Sequence, residues 1–162
     1  MIIVRTPQHP LFNYSECREM FDENRDKLDL DDFDTVIKNT HFFSYYDWTT
    51  GEFIGCIYFY QDNGRVYVTA YAGRKHHKKN LECFREALNY YTCDIYAERV
   101  QKPAVYCILK CGFERIGQGN DLFIYRRNKN GKKLINNNQH DKQHTDVCCK
   151  LADKSVLHDN NG

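Results

Sequence analysis

The stretch that decides the fold is residues 65–91, which read RVYVTAYAGRKHHKKNLECFREALNYY. After Arg65, the next seven residues alternate small or branched side chains with tyrosine and threonine, and a period of two is typical of a β-strand. After Gly73 the period changes, because the apolar residues from Leu81 to Tyr91 recur at the helical spacing of about 3.6 residues. A strand that runs directly into a helix predicts a fold with both α and β layers.

Upstream of this stretch the sequence predicts two further strands. Residues 42–48 and 52–61 are strand-like, and Gly55 in the second of them indicates a β-bulge. Asn63 and Gly64 form the strongest hairpin signal in the chain, because this pair supplies the positive φ angles of a type I′ turn. A three-strand meander over 42–72 is therefore expected at the centre of the sheet.

The front of the chain predicts a strand followed by two helices. Residues 2–4 are a short apolar run. Ser15 is expected to cap a helix that runs to about Arg25, and a second helix is expected to start near Asp31 or Asp32.

The remaining elements lie between residues 93 and 126. A short strand over 93–97 precedes a helix that Pro103 opens and Gly112 ends. A last hairpin joins 113–116 to 122–126. The predicted order is β-α-α-β-β-β-α-β-α-β-β. This order predicts an α+β or α/β fold, with a mixed central sheet and helices on both of its faces.

The composition changes sharply near Arg127. All 23 aromatic residues lie at or before Tyr125, and the last 35 residues hold seven Asn. Such a segment buries too little apolar surface to offset the entropy lost on ordering. We expect one domain over 1–127 and a polar, disordered tail over 128–162.

Charge and hydropathy exclude several classes of protein. No apolar run approaches the roughly 20 residues of a membrane helix, and the N-terminal residues do not resemble a signal peptide. A cytoplasmic protein with no membrane contact is therefore expected. The net charge of +1 is too small to indicate a nucleic-acid binder by itself.

The eight cysteines are expected to be reduced. The pair Cys107 and Cys111 has the spacing of two ligands on one helix face, but no second pair completes a zinc site. No metal is expected.

Residues 74–79 carry the most chemical content. Arg74, Lys75, Lys78 and Lys79 place four cations at the expected start of a helix, where the helix dipole is also positive. This arrangement is unfavourable unless an anion binds there, and a phosphate group is the expected ligand. The alternatives are a solvated loop and a nucleic-acid backbone with a tyrosine as stacking face.

Two stretches resemble the GCN5-related N-acetyltransferase (GNAT) family over about residues 1–127. Residues 66–74 are similar to the strand and loop that, in the family, hold the pantetheine arm and pyrophosphate of acetyl-CoA. Residues 104–113 are similar to a later helix that ends in Gly-Phe. The resemblance implies that coenzyme A or acetyl-CoA is bound by the following residues: Val68, Thr69, Ala70, Arg74, Lys75, His76, His77, Lys78 and Lys79.

The sequence also departs from the family pattern. His77 and Lys79 stand where the family loop has small residues that let the backbone approach the pyrophosphate. Ile108 stands where the family commonly has a tyrosine that protonates the leaving thiolate. Glu98 and Tyr106 are the remaining candidates for catalytic groups.

These departures favour a degenerate acyl-CoA site over an active enzyme. The chain is also similar in texture to phage-encoded proteins of this fold that are associated with head assembly. That resemblance implies protein–protein contact with a capsid, portal or injected protein. One candidate docking surface is the acidic front of the chain: Glu16, Glu19, Asp22, Glu23, Asp26, Asp29, Asp31 and Asp32. An active CoA-dependent N-acetyltransferase is the alternative, and a nucleic-acid-binding module is a second one.

Overall fold

The computed structural model describes residues 1–28 and 31–130, and its elements follow the predicted order. The strands are β1 (Ile2–Arg5), β2 (His41–Asp47), β3 (Phe53–Asp62), β4 (Arg65–Ala72), β5 (Ile95–Glu98), β6 (Glu114–Arg115) and β7 (Leu122–Tyr125). The helices are α1 (Tyr14–Leu28), α2 (Phe33–Asn39), α3 (His77–Leu88), α4 (Lys102–Lys110) and α5 (Arg127–Asn130), and a 3-10 turn (Arg74–His76) precedes α3. The expected tail begins within α5, and its residues 131–162 lie outside the described residues.

The strands form one mixed sheet with the order β1-β2-β3-β4-β5-β7-β6. The pairs β1–β2, β2–β3, β5–β7 and β6–β7 are antiparallel. The pair β4–β5 is parallel and joins Val66 to Ile95 and Tyr67 to Tyr96. This mixed sheet confirms the expected fold class.

The contacts divide the chain into two compact units, which we describe separately. Among the described residues, the first unit comprises Met1–Tyr60 and Thr69–Ala87, and the second comprises Gln61–Val68 and residues 88–130. The single-domain boundary expected at residue 127 stays a prediction.

Aromatic side chains build the core of the first unit. Helices α1 and α2 pack on the sheet face of Phe42, Tyr58 and Tyr71, which face the same way because side chains alternate along a strand. The ring of Phe21 on α1 lies 5.7 Å from that of Tyr71, and the ring of Phe33 on α2 lies 5.7 Å from that of Phe42. Burial of such rings is the main contribution to the stability of a core of this kind.

The predicted bulge is present beside Gly55. Tyr45 pairs with Gly55 whereas Tyr46 pairs with Phe53, so that Ile54 is the extra residue on β3. The carbonyl oxygen of Ile54 accepts a hydrogen bond of 3.1 Å from Gly73 N, at the end of β4. The bulge therefore fixes the point where the chain leaves the sheet toward the 3-10 turn.

The start of α1 differs from the prediction. Asn13, and not Ser15, is the capping residue, because Asn13 Oδ1 accepts a 3.1 Å hydrogen bond from Glu16 N. Helix α1 already includes Ser15, so its hydroxyl comes too late to cap the first turn. The predicted start of α2 near Asp31 or Asp32 is confirmed, and Asp32 is its capping residue, since Asp32 Oδ1 accepts a 2.9 Å hydrogen bond from Thr35 N.

The second unit is built on the antiparallel pair β5–β7, with four residue pairs from Ile95–Tyr125 to Glu98–Leu122. Ile108 of helix α4 is one of the buried residues of this unit. Gly112 follows the end of that helix, with a positive φ of 104°.

Six cysteines are free thiols in the described part of the chain. Cys17, Cys56 and Cys83 are buried, and the other three are half-buried: Cys93, Cys107 and Cys111. Within residues 1–28 and 31–130, no helix is both long and apolar enough to cross a membrane.

Candidate functional site

The cationic segment, residues 74–79, lies partly inside α3. The helical periodicity of the sequence starts at Leu81, but the 3-10 turn covers Arg74–His76 and α3 begins at His77. The apolar periodicity starts only at Leu81, so it could not reveal a first turn made of polar residues. Two lysines of the segment therefore belong to the first turn of the helix itself.

Lys79 is paired with carboxylates of the protein. Its Nζ lies 3.6 Å from Asp47 Oδ2 and 3.8 Å from Glu82 Oε2. The Asp47 side chain is buried, and its Oδ1 accepts hydrogen bonds of 2.7 and 3.1 Å from Thr49 N and Thr50 N. Those two backbone hydrogen bonds, with a smaller effect of Lys79, hold the pKa of Asp47 below its usual value. Asp47 is therefore a carboxylate at neutral pH.

His76 faces a second carboxylate, that of Glu52, in the turn between β2 and β3. Its Nε2 lies 3.6 Å from Glu52 Oε2, with the His76 side chain largely buried and that of Glu52 exposed. Two members of the segment, His76 and Lys79, thus lie beside carboxylates of the protein. Of the four permanent cations of the segment, Lys79 is thus the one shown beside carboxylates in the part of the chain that the structure describes, and the phosphate site stays a prediction.

Two cations of the segment remain at the surface. The side chains of Lys75 and Lys78 are exposed, one in the 3-10 turn and one in the first turn of α3. They stand at the positive end of the helix dipole, with no acidic residue in the first helical turn. Among the cations whose side chains the structure describes, this pair is the one that would meet an anion, and the side chains of Arg74 and His77 lie outside the described part of the chain.

The strand positions expected to hold the pantetheine arm lie in the middle of β4 (Arg65–Ala72). Val68 is buried, Thr69 is half-buried and Ala70 is exposed. Thr69 and Ala70 belong to the first unit, and Val68 to the second.

The two catalytic candidates lie in the second unit. Glu98 is the last residue of β5 and is exposed. Tyr106 on α4 is 69% exposed, with the Lys110 ammonium 5.3 Å from its ring centroid. Ile108 is only 5% exposed, so α4 turns a hydrocarbon side chain inward and the Tyr106 phenol outward. A rotation of about 200° over two residues accounts for this difference.

The sequence reasoning missed Asp47 and Glu52. The signal for Asp47 was local, since an Asp followed by Thr49, Thr50 and Gly51 is typical of a turn in which the carboxylate accepts backbone N–H groups. Its contact with Lys79, 32 positions further along the chain, has no local signal. Among the described residues, no three His, Cys, Asp or Glu side chains are grouped as a metal ion requires.

Comparisons with known proteins support the fold. No protein-family model matches the chain, and no curated protein matches it in sequence. Its structure is similar to a GNAT-family acetyltransferase from Bacillus anthracis, with 15% identity, a TM-score of 0.56 and coverage of 78% of this chain and 95% of the other. It is also similar to a spermidine N-acetyltransferase from Vibrio cholerae, with 15% identity, a TM-score of 0.55 and coverage of 79% and 95%.

A third similar structure is a Bacillus subtilis acetyltransferase solved in complex with CoA. Its identity is 11%, its TM-score is 0.53, and the match covers 78% of this chain and 99% of the other. At identities of 11–15%, the similarity shows a shared fold and nothing further. The protein therefore has the fold of the GNAT acetyltransferases.

Proposed function

We propose that the protein binds coenzyme A or an acyl-CoA thioester such as acetyl-CoA, and that it transfers acyl groups very slowly or not at all. The observation that carries the binding proposal is the exposed pair Lys75, in the 3-10 turn, and Lys78, in the first turn of α3. The similarity to the CoA complex of the Bacillus subtilis acetyltransferase adds support, because that protein has the same fold.

The chemistry of the segment fits a pyrophosphate group. Ammonium groups and the positive end of a helix dipole both attract phosphate oxygens. Lys75 and Lys78 would supply the charge, and Thr69 and Ala70 of the same unit would lie along the pantetheine arm. Lys79 is already engaged by Asp47, so its side chain contributes less.

Slow transfer follows from the groups that acyl transfer requires. The reaction needs a base for the amine, donors for the developing oxyanion and a proton for the thiolate. Ile108 cannot donate a proton, and Tyr106 points outward. Burial, with the neighbouring Cys56, raises the pKa of Tyr71 far above its usual range. Tyr71 therefore stays protonated at neutral pH and cannot serve as a base.

The binding proposal is tested by thermal melting of the full chain with coenzyme A. We expect the melting temperature to rise with ligand concentration, and Lys75→Ala with Lys78→Ala to remove the rise. The matched control is Lys38→Ala with Lys110→Ala, which removes two exposed lysines from other helices. No shift at millimolar coenzyme A would overturn the proposal, and a salt-sensitive shift with an oligonucleotide instead would favour the nucleic-acid alternative.

The proposal of slow transfer is tested by thioester consumption with spermidine and lysate proteins as acceptors. We expect turnover to be undetectable or very slow in the wild type. Robust turnover that is lost in Glu98→Gln or Tyr106→Phe would make the protein an acetyltransferase with relocated catalytic residues.

The narrower hypothesis of a phage head-assembly protein stays a prediction. The fold comparison brings it no support, and neither does any contact described above. Co-purification with a capsid, portal or injected protein would be its direct test.

A further inference from the structure

The turn between β2 and β3 contacts the cationic segment through the residues at the two ends of the turn. Asp47, the last residue of β2, lies against Lys79, and Glu52, just before β3, lies against His76. The hydrogen bonds of Asp47 to the backbone of Thr49 and Thr50 hold this turn in shape. Two residues on the turn thus face two members of the segment at 3.6 Å each.

The two oxygens of Asp47 make different contacts. Oδ1 accepts both backbone N–H groups, and Oδ2 faces the ammonium of Lys79. An Asn side chain at this position would keep one acceptor oxygen for the turn and replace the other by a neutral NH₂ group. The substitution Asp47→Asn therefore separates the shape of the turn from the pairing of Lys79.

We propose that Asp47 is a positioning residue that holds Lys79 away from bound anions, so that Lys75 and Lys78 take the phosphates of the ligand. The inference rests on the anion site of the proposed function. It adds which lysines of that site contact the ligand and which residue holds the other lysine back. Lys79 is one-third exposed and is shared between Asp47 and Glu82, whereas Lys75 and Lys78 are exposed.

The carboxylate of Asp47 also lowers the affinity of the site for a polyanion. A like charge near the site opposes each charge of the ligand, and a pyrophosphate carries several charges. Removal of the Asp47 charge is therefore expected to raise affinity for pyrophosphate roughly threefold to tenfold.

The first test needs no ligand. The full chain is labelled with an amine-acetylating reagent, and modification of each lysine is measured by mass spectrometry. We expect Lys79 to react more slowly than Lys75 and Lys78 in the wild type, and to react several-fold faster in Asp47→Asn. The matched control is Asp34→Asn, which removes a carboxylate paired with Arg18 at 2.7 Å. Unchanged labelling of Lys79 in Asp47→Asn would overturn the inference.

The second test is a titration with inorganic pyrophosphate and, in parallel, with coenzyme A. We expect Asp47→Asn to bind pyrophosphate more tightly than the wild type, and Lys79→Ala in that background to cancel the gain. Should Asp47→Asn fold poorly, single variants of the wild type remain informative, because Lys79→Ala is expected to weaken binding less than Lys75→Ala.

The outcomes separate this inference from the proposed function. The expected pyrophosphate pattern without any binding of coenzyme A would support the inference and overturn the coenzyme A proposal. Equal or weaker pyrophosphate binding in Asp47→Asn, or no pyrophosphate binding by either protein, would overturn the inference.

Discussion

Gly55 and Tyr71 lie so close together that position 55 has no room for a side chain. A Cβ atom on Gly55 would lie 2.5 Å from the Tyr71 carbonyl oxygen and 2.8 Å from Ala72 Cα. These neighbours are backbone atoms of β4, which cannot move aside as a flexible side chain can. The contact therefore fixes the end of β4, from which the chain enters the cationic segment.

We expect Gly55→Ala to lower the free energy of unfolding by about 1–3 kcal/mol, which is typical of overpacking. The control is Gly73→Ala, because a Cβ on Gly73 would lie 3.7 Å from Met20 Cε, an ordinary contact distance. Urea unfolding of both variants measures the difference. An equal effect of the two substitutions would contradict the close packing of β3 and β4.

The cap of α1 gives a second prediction. Asn13→Ala removes the acceptor of Glu16 N and is expected to lower the free energy of unfolding by about 1 kcal/mol. Ser15→Ala is the control, since it changes a residue inside the first turn and should alter the free energy by less than about 0.5 kcal/mol. A larger effect at Ser15 than at Asn13, in thermal or urea unfolding, would show that the helix starts later.

Stability is expected to decrease at alkaline pH. Burial raises the pKa of Tyr46 to about 12 and that of Cys83 to about 12. Groups whose pKa is raised by folding keep their protons longer in the folded state than in the unfolded state. Their contribution to stability is complete below the unfolded pKa values near 9 and 10, and it is lost as the pH rises toward 12.

Urea unfolding between pH 8 and pH 11.5 measures this loss, with each solution buffered at about the same ionic strength. Tyr71→Phe should reduce the alkaline loss, because burial also raises the pKa of Tyr71. The control is Tyr106→Phe, which changes an exposed tyrosine. A stability that is constant or rising above pH 9 would contradict the burial of these groups.

The order of the elements could be predicted because its signals are local. The turn at Asn63 and Gly64 has φ angles of 49° and 76°, as the Asn-Gly pair predicted. Pro103 and Gly112 marked the ends of α4 for similar reasons, since one fixes φ and the other tolerates a positive φ.

The features that the sequence did not reveal are of two kinds: a choice between two competing capping residues, and a contact between residues far apart in the sequence. Asn13 and Ser15 are both good capping residues, and only the packing of α1 selects between them. The pairing of Lys79 with Asp47 depends on how β2 and α3 are brought together, which no local pattern specifies. The same long-range contact changes what the cationic segment is expected to bind, because the charge of Lys79 is already paired with that of Asp47.

Equilibrium dialysis with acetyl-CoA, labelled in its acetyl group, is the most direct test of a coenzyme A site with little transfer activity. The full chain is placed on one side with a mixed set of primary amines, and the label on each side is identified chemically. The account predicts that label accumulates with the protein, that it stays acetyl-CoA, and that Lys75→Ala with Lys78→Ala abolishes the accumulation. Label that is equal on both sides, or that is converted into N-acetyl product, would contradict it.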